Sequence, residues 1–266
     1  MCYNDIEQGI HIKTVFSKIP STKYRFWELS PMKYEKQIGI IVPSSGIVTE
    51  MLFHRYAPRH IGISTSRVKF NQITFQGLGD MLNLVGQAAE DLCCVEPNII
   101  VFSSVMAGAI NGKAVTNIVE QSTGTPCITG FYAMLEAIQA LDIRCPTVVS
   151  PHSDQLNLVF KRKMMQNGVH VQHIYPLIRY SNEDSIRALE QISIDDILSS
   201  LQDVDLSDSD ALIVNAACIQ GSDSIRKIEK DLGIPVLQGD QTSLWSALRS
   251  VDDHSVIPEL GKIFEV

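Results

Sequence analysis

The chain repeats itself. Gly124-Thr125-Pro126-Cys127-Ile128-Thr129-Gly130 precedes a helical run, and 109 residues later, from 124 to 233, Gly233-Ile234-Pro235-Val236-Leu237-Gln238-Gly239 precedes another. A short apolar stretch closed by small residues stands upstream of each: Ile100-Val101-Phe102-Ser103-Ser104, then Ile213-Val214-Asn215-Ala216-Ala217. Further upstream, Ile40-Ile41-Val42-Pro43-Ser44 corresponds to Thr147-Val148-Val149-Ser150-Pro151. Three landmarks in one order imply two copies of a single α/β unit. Strands that alternate with helices form mostly parallel sheets flanked by helices, joined by right-handed crossovers. Two such lobes bring the ends of their strands to a shared cleft, where small molecules bind in folds of this class.

The landmarks divide the 266 residues into an N-terminal extension (1–36), a first lobe (37–142) and a second lobe (143–266), whose last helix is free to pack back on the first. Each lobe has a size that folds on its own terms. No apolar run approaches the ~20 residues that span a bilayer. The N-terminus has no signal-like apolar stretch, because Asp5, Glu7 and Gln8 interrupt it. A cytoplasmic location follows by default. With 22 basic against 30 acidic residues, a net charge of −8 and no basic stripe, a nucleic-acid partner is disfavoured. Spare apolar groups on the leader and the helix faces are compatible with a homodimer. The six cysteines, Cys2, Cys93, Cys94, Cys127, Cys145 and Cys218, include no CxxC or zinc-type spacing. They read as reduced, mostly buried thiols. His170 and His173 lack matching ligands, so no metal or other cofactor is expected.

Ile38 to Val42 is a continuous apolar run closed by Pro43, the pattern of a strand covered on both faces. Further strands are predicted at 60–65, 99–102 and 126–129, and in the second copy at 147–149, 169–175, 211–214 and 236–237. Helical periodicity is predicted over 79–95, 111–121, 131–141, 155–165, 183–201, 222–232 and 241–249, with Ser222 suited to cap its helix.

These residues resemble the aspartate/glutamate racemase superfamily, and within it the maleate cis–trans isomerase and arylmalonate decarboxylase branch. Ile38-Gly-Ile-Ile-Val-Pro-Ser-Ser-Gly-Ile-Val-Thr-Glu50, Ser150-Pro151-His152 with Asn157, and Leu232-Gly-Ile-Pro-Val-Leu-Gln-Gly-Asp-Gln-Thr-Ser-Leu-Trp245 carry the resemblance. It implies two pseudo-symmetric flavodoxin-like lobes with the active site between them. It also implies cofactor-independent chemistry on a small carboxylic acid. In such enzymes two cysteines face each other across the substrate, one from each lobe, and decarboxylases of the branch keep one.

This chain departs from that pattern. Aligned on the two strands, Ser104 stands at the first cysteine position and Ala216 at the second, and Val105 and Met106 follow where carboxylate-holding hydroxyls are usual. His152 replaces a tyrosine and Asp240 an asparagine, whereas Gln241 is retained. His152 and Ser104 are therefore the candidate catalytic residues. A histidine that titrates near neutral pH is able to shuttle a proton. Ser104 is able to donate a hydrogen bond or to satisfy backbone groups at a strand end. Substrate-binding candidates are Ser44, Ser45 and Gly46, whose turn amides are suited to an anion, together with Ser103, Val105, Ala216, Ala217, Cys218, Asp240 and Gln241. Asp240 also reads as a helix cap, and facing the cleft it would repel a dicarboxylate. The sequence thus points to an isomerase- or lyase-like enzyme without the cysteine pair. The alternatives are a non-catalytic small-molecule-binding relative and a cysteine-free hydratase or hydrolase.

Overall fold

The computed structural model describes residues 34–177, 192–202, 204–216 and 221–266. The first copy runs β1 (Lys36–Pro43), α1 (Ile47–Tyr56), β2 (Ile61–Val68), α2 (Phe75–Asp80), α3 (Leu82–Leu92), β3 (Ile99–Phe102), α4 (Val105–Thr123), β4 (Cys127–Thr129) and α5 (Gly130–Ala140). The second runs β5 (Thr147–Ser150), α6 (Asp154–Gln166), β6 (Ile174–Pro176), α7 (Ile194–Ser200), β7 (Leu212–Val214), α8 (Ile225–Leu232), β8 (Val236–Gln238) and α9 (Gly239–Ser250). Each copy builds a four-stranded sheet, in the orders β2-β1-β3-β4 and β6-β5-β7-β8, and all the described pairings are parallel. Two parallel sheets of the same topology are the expected α/β architecture.

The central strands are buried on both faces, as their unbroken apolar sequences require. Ile38, Ile40, Ile41 and Val42 have no exposed surface, nor do Ile100, Val101 and Phe102. The repeat is also visible in its punctuation. Gly124 ends α4 at φ 70° and Gly233 ends α8 at φ 74°, a left-handed conformation that a Cβ disfavours. In both copies the next strand leads directly into a helix, α5 or α9, and these two helices pack on each other. Helix α9 also reaches α1 and β3 of the first copy. Its residues 239–248 are all buried although they include Thr242, Ser243 and Ser246. Those hydroxyls are satisfied at once: Thr242 and Ser243 donate to carbonyls of the preceding turn, and Ser246 donates to Glu136 Oε2 at 2.6 Å. None of the described helices is long and apolar enough to cross a membrane.

Several boundaries differ from expectation. The strand expected over 169–175 is confined to Ile174–Pro176: His170 and Gln172 still donate to the Arg144 and Pro146 carbonyls, but Pro146 has no N–H to return a bond and complete the ladder. Helix α1 was not foreseen, since its pattern is weak: Thr49 is buried while Ile47 and Met51 are exposed. The helix expected over 111–121 begins at Val105 and is kinked at Asn111. Ser222 opens a 3₁₀ turn, and the helix behind it starts only at Ile225. The part of the expected 183–201 helix before residue 192 lies outside the described residues. Of the described cysteines, Cys94 is exposed and Cys93, Cys127 and Cys145 are half-buried, so they are not core thiols. Burial, helped by the charge of Glu120, pushes the Cys127 thiol up to about 12, which keeps it protonated.

Candidate active site

The strands β1, β3, β5 and β7 all end toward one small cavity of about 50 Å³. Its walls are Pro43 and Ser45 after β1, Ser103, Ser104, Val105 and Met106 after β3, His152 after β5 and Ala216 after β7, with Phe70, Ile73 and Leu78 completing the apolar side. Both copies contribute, as the pseudo-symmetry demands. A larger hollow of about 700 Å³ runs past Tyr132, Glu136, Arg144 and Asn167, but it lies at the N-terminal ends of β3 and β4. Ligands of open α/β sheets bind at the carboxyl ends, so chemistry is sought in the smaller cavity.

His152 is held from behind. The Ser150 hydroxyl donates to Asn157 Oδ1 at 2.6 Å, Asn157 Nδ2 donates to the His152 carbonyl at 2.9 Å, and the His152 amide donates to Ser150 Oγ at 3.3 Å. The ring is 8% exposed and lies against the main chain of Asn215. Its Nδ1 is buried without a hydrogen-bond partner among the described residues. Burial pushes the imidazole down to about 4, which the Asn215 contact only partly opposes. The expectation of titration near neutral pH is thus corrected: His152 is neutral there.

Ser104 is the N-cap of α4, accepting from the Ala107 amide at 3.3 Å, so its hydroxyl proton remains for a ligand. Ser103 differs. Its hydroxyl donates to Asp240 Oδ1 at 3.3 Å, and the same oxygen accepts from Thr49 Oγ1 at 2.7 Å. Asp240 Oδ2 accepts from Gln238 Nε2 at 3.1 Å. Asp240 is completely buried behind the cavity wall rather than lining it. Its capping role is corrected too. Gln238 caps α9, in a reciprocal capping box with Gln241.

Other candidates are occupied by structure. Gln241 Oε1 accepts from the Gln238 amide and its Nε2 donates to the carbonyls of Val236 and Leu260, so it is a structural residue and not part of the cavity wall. Ser44 Oγ bonds both main-chain groups of Phe70 at 3.1 Å, which fixes the loop that carries Phe70 into the cavity. Of the turn amides expected to hold an anion, that of Gly46 is spent on the Pro43 carbonyl, and the following one, Ile47, bonds the Ser45 carbonyl. Ala217 and Cys218 lie outside the described residues. Among the described residues no cysteine lines the cavity. Sequence reasoning missed Phe70, Ile73, Leu78 and Thr49, which carry no local signal. It also missed Asn215, whose buried carboxamide has neither polar atom paired.

With this geometry in place, a profile of the arylmalonate decarboxylase family matches residues 38–264. The chain belongs to that family. Among curated relatives, the maleate isomerase of Nocardia farcinica is 23% identical over 86% of this chain and 95% of its own length. The arylmalonate decarboxylase of Bordetella bronchiseptica is 21% identical over 61% of this chain and 67% of its own. Among solved structures, the N. farcinica maleate cis–trans isomerase with a covalently bound succinylcysteine intermediate superposes with a TM-score of 0.78 at 20% identity, over 86% of this chain and 98% of that one. Unliganded arylmalonate decarboxylase gives 0.69 at 19%, over 86% and 99%. These similarities support an isomerase/lyase family of enzymes that act on small carboxylates. At such identities the superpositions establish the fold, and the residues of this arylmalonate decarboxylase family member must argue its chemistry themselves.

Proposed function

We propose that the protein catalyses cofactor-independent proton transfer at the carbon beside a carboxyl or carbonyl group of a small acid, with His152 and Ser104 in place of a cysteine pair. One observation carries this reading. The buried, neutral ring of His152 lines one cavity with Ser104 and the first turn of α4. The hydroxyl and the free first-turn amides are donors suited to the oxygen on which enolate charge develops. The apolar wall of Phe70, Ile73, Leu78, Val105 and Met106 excludes water, which strengthens those interactions. His152 Nδ1 then takes the proton from carbon and returns it.

The state of His152 favours one of the two activities of the family. A neutral imidazole is able to take up a proton and is a poor acid. Isomerase-like removal and return of a proton therefore fits better than a decarboxylation that must be quenched by an acid. The dry wall favours the second reading, because a carboxylate moved out of water loses solvation that carbon dioxide does not need.

The test is a panel of small mono- and dicarboxylic acids, arylmalonates included, incubated in deuterated water and followed by NMR. The isomerase reading expects deuterium at the carbon next to the carboxyl, reduced about 100-fold or more in His152→Asn. Undiminished exchange in that variant removes His152 as the base. Release of carbon dioxide without exchange into unreacted substrate selects the lyase reading.

A further inference from the structure

The cavity offers its polar groups in an unequal arrangement. A hydroxyl has one proton, and that of Ser103 is directed at Asp240 Oδ1. Ser103 thus turns lone pairs, not a donor, to any ligand. No described residue other than Asp240 hydrogen-bonds its side chain. His152 also lines the cavity, nine-tenths buried, with its Nδ1 unpartnered among the described residues. Ser104 offers its hydroxyl proton on the wall, where Ser45 places a further hydroxyl. Among the described residues no lysine or arginine lines the cavity.

We propose that the site is specific for a small carboxylic acid bearing a hydroxyl beside its carboxylate, the carboxylate held by Ser104 and the hydroxyl donating to Ser103 Oγ, whose orientation is fixed by Asp240. The proposal rests on the proton-transfer reading for where the carboxylate lies, and it adds the substituent that selects the substrate. A second carboxylate in place of the hydroxyl would meet the Ser103 lone pairs, and a carboxylate that leaves water to face an acceptor is strongly disfavoured. An ammonium is disfavoured as well. The Asp240 carboxylate already accepts from Thr49, Ser103 and Gln238, and the described wall offers only neutral groups, the Ser45, Ser103 and Ser104 hydroxyls and the His152 ring among apolar side chains, so the cation would lose its hydration against neutral acceptors. A neutral hydroxyl needs only one acceptor. Asp240 touches no ligand here and is a positioning residue.

The experiment measures dissociation constants by NMR titration for four acids of matched size: 2-hydroxypropanoate, propanoate, alanine and malonate. The expected result is binding of the hydroxy acid roughly tenfold tighter than propanoate, the effect of one satisfied buried acceptor. In Asp240→Asn the new amide is able to donate to Ser103, which releases the serine proton toward the cavity. The hydroxyl preference then disappears and malonate binding improves. In Ser103→Ala the preference also disappears, but malonate gains nothing, a split that general loosening of the site would not produce. Thermal unfolding checks both variants, and should Asp240→Asn fail to fold, Ser103→Ala decides. Equal binding of the hydroxy and unsubstituted acids, tightest binding of malonate or alanine, or a preference that survives Ser103→Ala overturns the proposal. Hydroxy-acid preference without deuterium exchange removes the reaction proposed above and leaves this specificity standing. Exchange without preference does the reverse.

Discussion

Helices α5 and α9 occupy matched places in the two copies, and their first turns show what the duplication kept and what it changed. The 109-residue offset pairs Thr129 with Gln238, Gly130 with Gly239 and Phe131 with Asp240. Both residues of the first pair cap their helices: Thr129 accepts from the Tyr132 amide, and Gln238 from that of Gln241. Both residues of the third pair cross to the other copy. Phe131 reaches Phe160 of α6, ring edge against face at 6.1 Å, and Asp240 reaches Thr49 of α1 and Ser103. One crossing is hydrocarbon and the other is a carboxylate that needs three hydroxyl or amide donors to be tolerated. A buried charge is a poor way to hold two lobes together when an aromatic pair does it in the matched position. The difference separates a structural half of the interface from a half reserved for the ligand.

Breaking the structural half should have the largest effect. Phe131→Ala removes a ring that is 2% exposed and leaves a cavity against Phe160, so urea unfolding should show a loss of about 3–5 kcal/mol. The next effect tests whether acid sensitivity sits in the second copy. The repeat matches His152 to Ser45, and both line the cavity, but only the histidine titrates. His152 has an ordinary value of 6.5 and a folded value of about 4. Above pH 6.5 it is neutral in both states and its full contribution is present. As pH falls from 6.5 to 4 the unfolded chain gains a proton that the folded one refuses, so stability is lost across that window and no further below it. At about 1.4 kcal/mol per pH unit the loss is roughly 3 kcal/mol. Unfolding curves at pH 7 and pH 4.5 should differ in the wild type by most of this amount more than in His152→Gln. Equal differences would mean that the ring is not buried as a neutral group.

The sequence displays the structural half far better than the other. Strands β1 and β3 are legible because residues covered on both sides must all be apolar, and Ile38 to Val42 and Ile99 to Phe102 are. The left-handed ends of α4 and α8 are legible because glycine accepts that conformation readily. The site is not legible in this way. Ser103 and Ser104 are adjacent and chemically identical, yet one turns a lone pair to the cavity and the other a proton. What decides is Asp240, 137 residues away, and Thr49, 191 residues from Asp240. The depressed basicity of His152 is equally a property of its surroundings, which no spacing encodes.

Two alanine substitutions sharpen the comparison at intermediate cost. A Cβ at Gly130 would stand 3.1 Å from the Ser104 carbonyl carbon and 3.2 Å from the Ser104 and Val105 nitrogens. These are main-chain atoms at the start of α4, and they cannot rotate away. Gly130→Ala should cost about 2 kcal/mol. At Gly239 the Cβ would stand 2.6 Å from Val105 Cγ2, a side-chain atom on the cavity wall. Gly239→Ala should therefore cost less stability and more ligand affinity, because Val105 yields by turning into the cavity. Unfolding and the acid titrations above, run on both variants, check that reversal.

The smallest expected effect isolates the seam between the two helices. Ser246 of α9 donates to Glu136 of α5, so its hydroxyl joins the copies, whereas Ser243 donates to the Gly239 carbonyl of its own helix. Both serines are completely buried and both become alanine with a similar change of volume. Ser246→Ala leaves Glu136 Oε2 without its partner and should cost about 1 kcal/mol. Ser243→Ala removes a bond that competes with the helix ladder and installs a better helix former, so it should be close to neutral. A comparable loss in both would show that the hydroxyls matter for packing volume alone, and the seam would then rest on its apolar contacts and not on the Ser246–Glu136 bond.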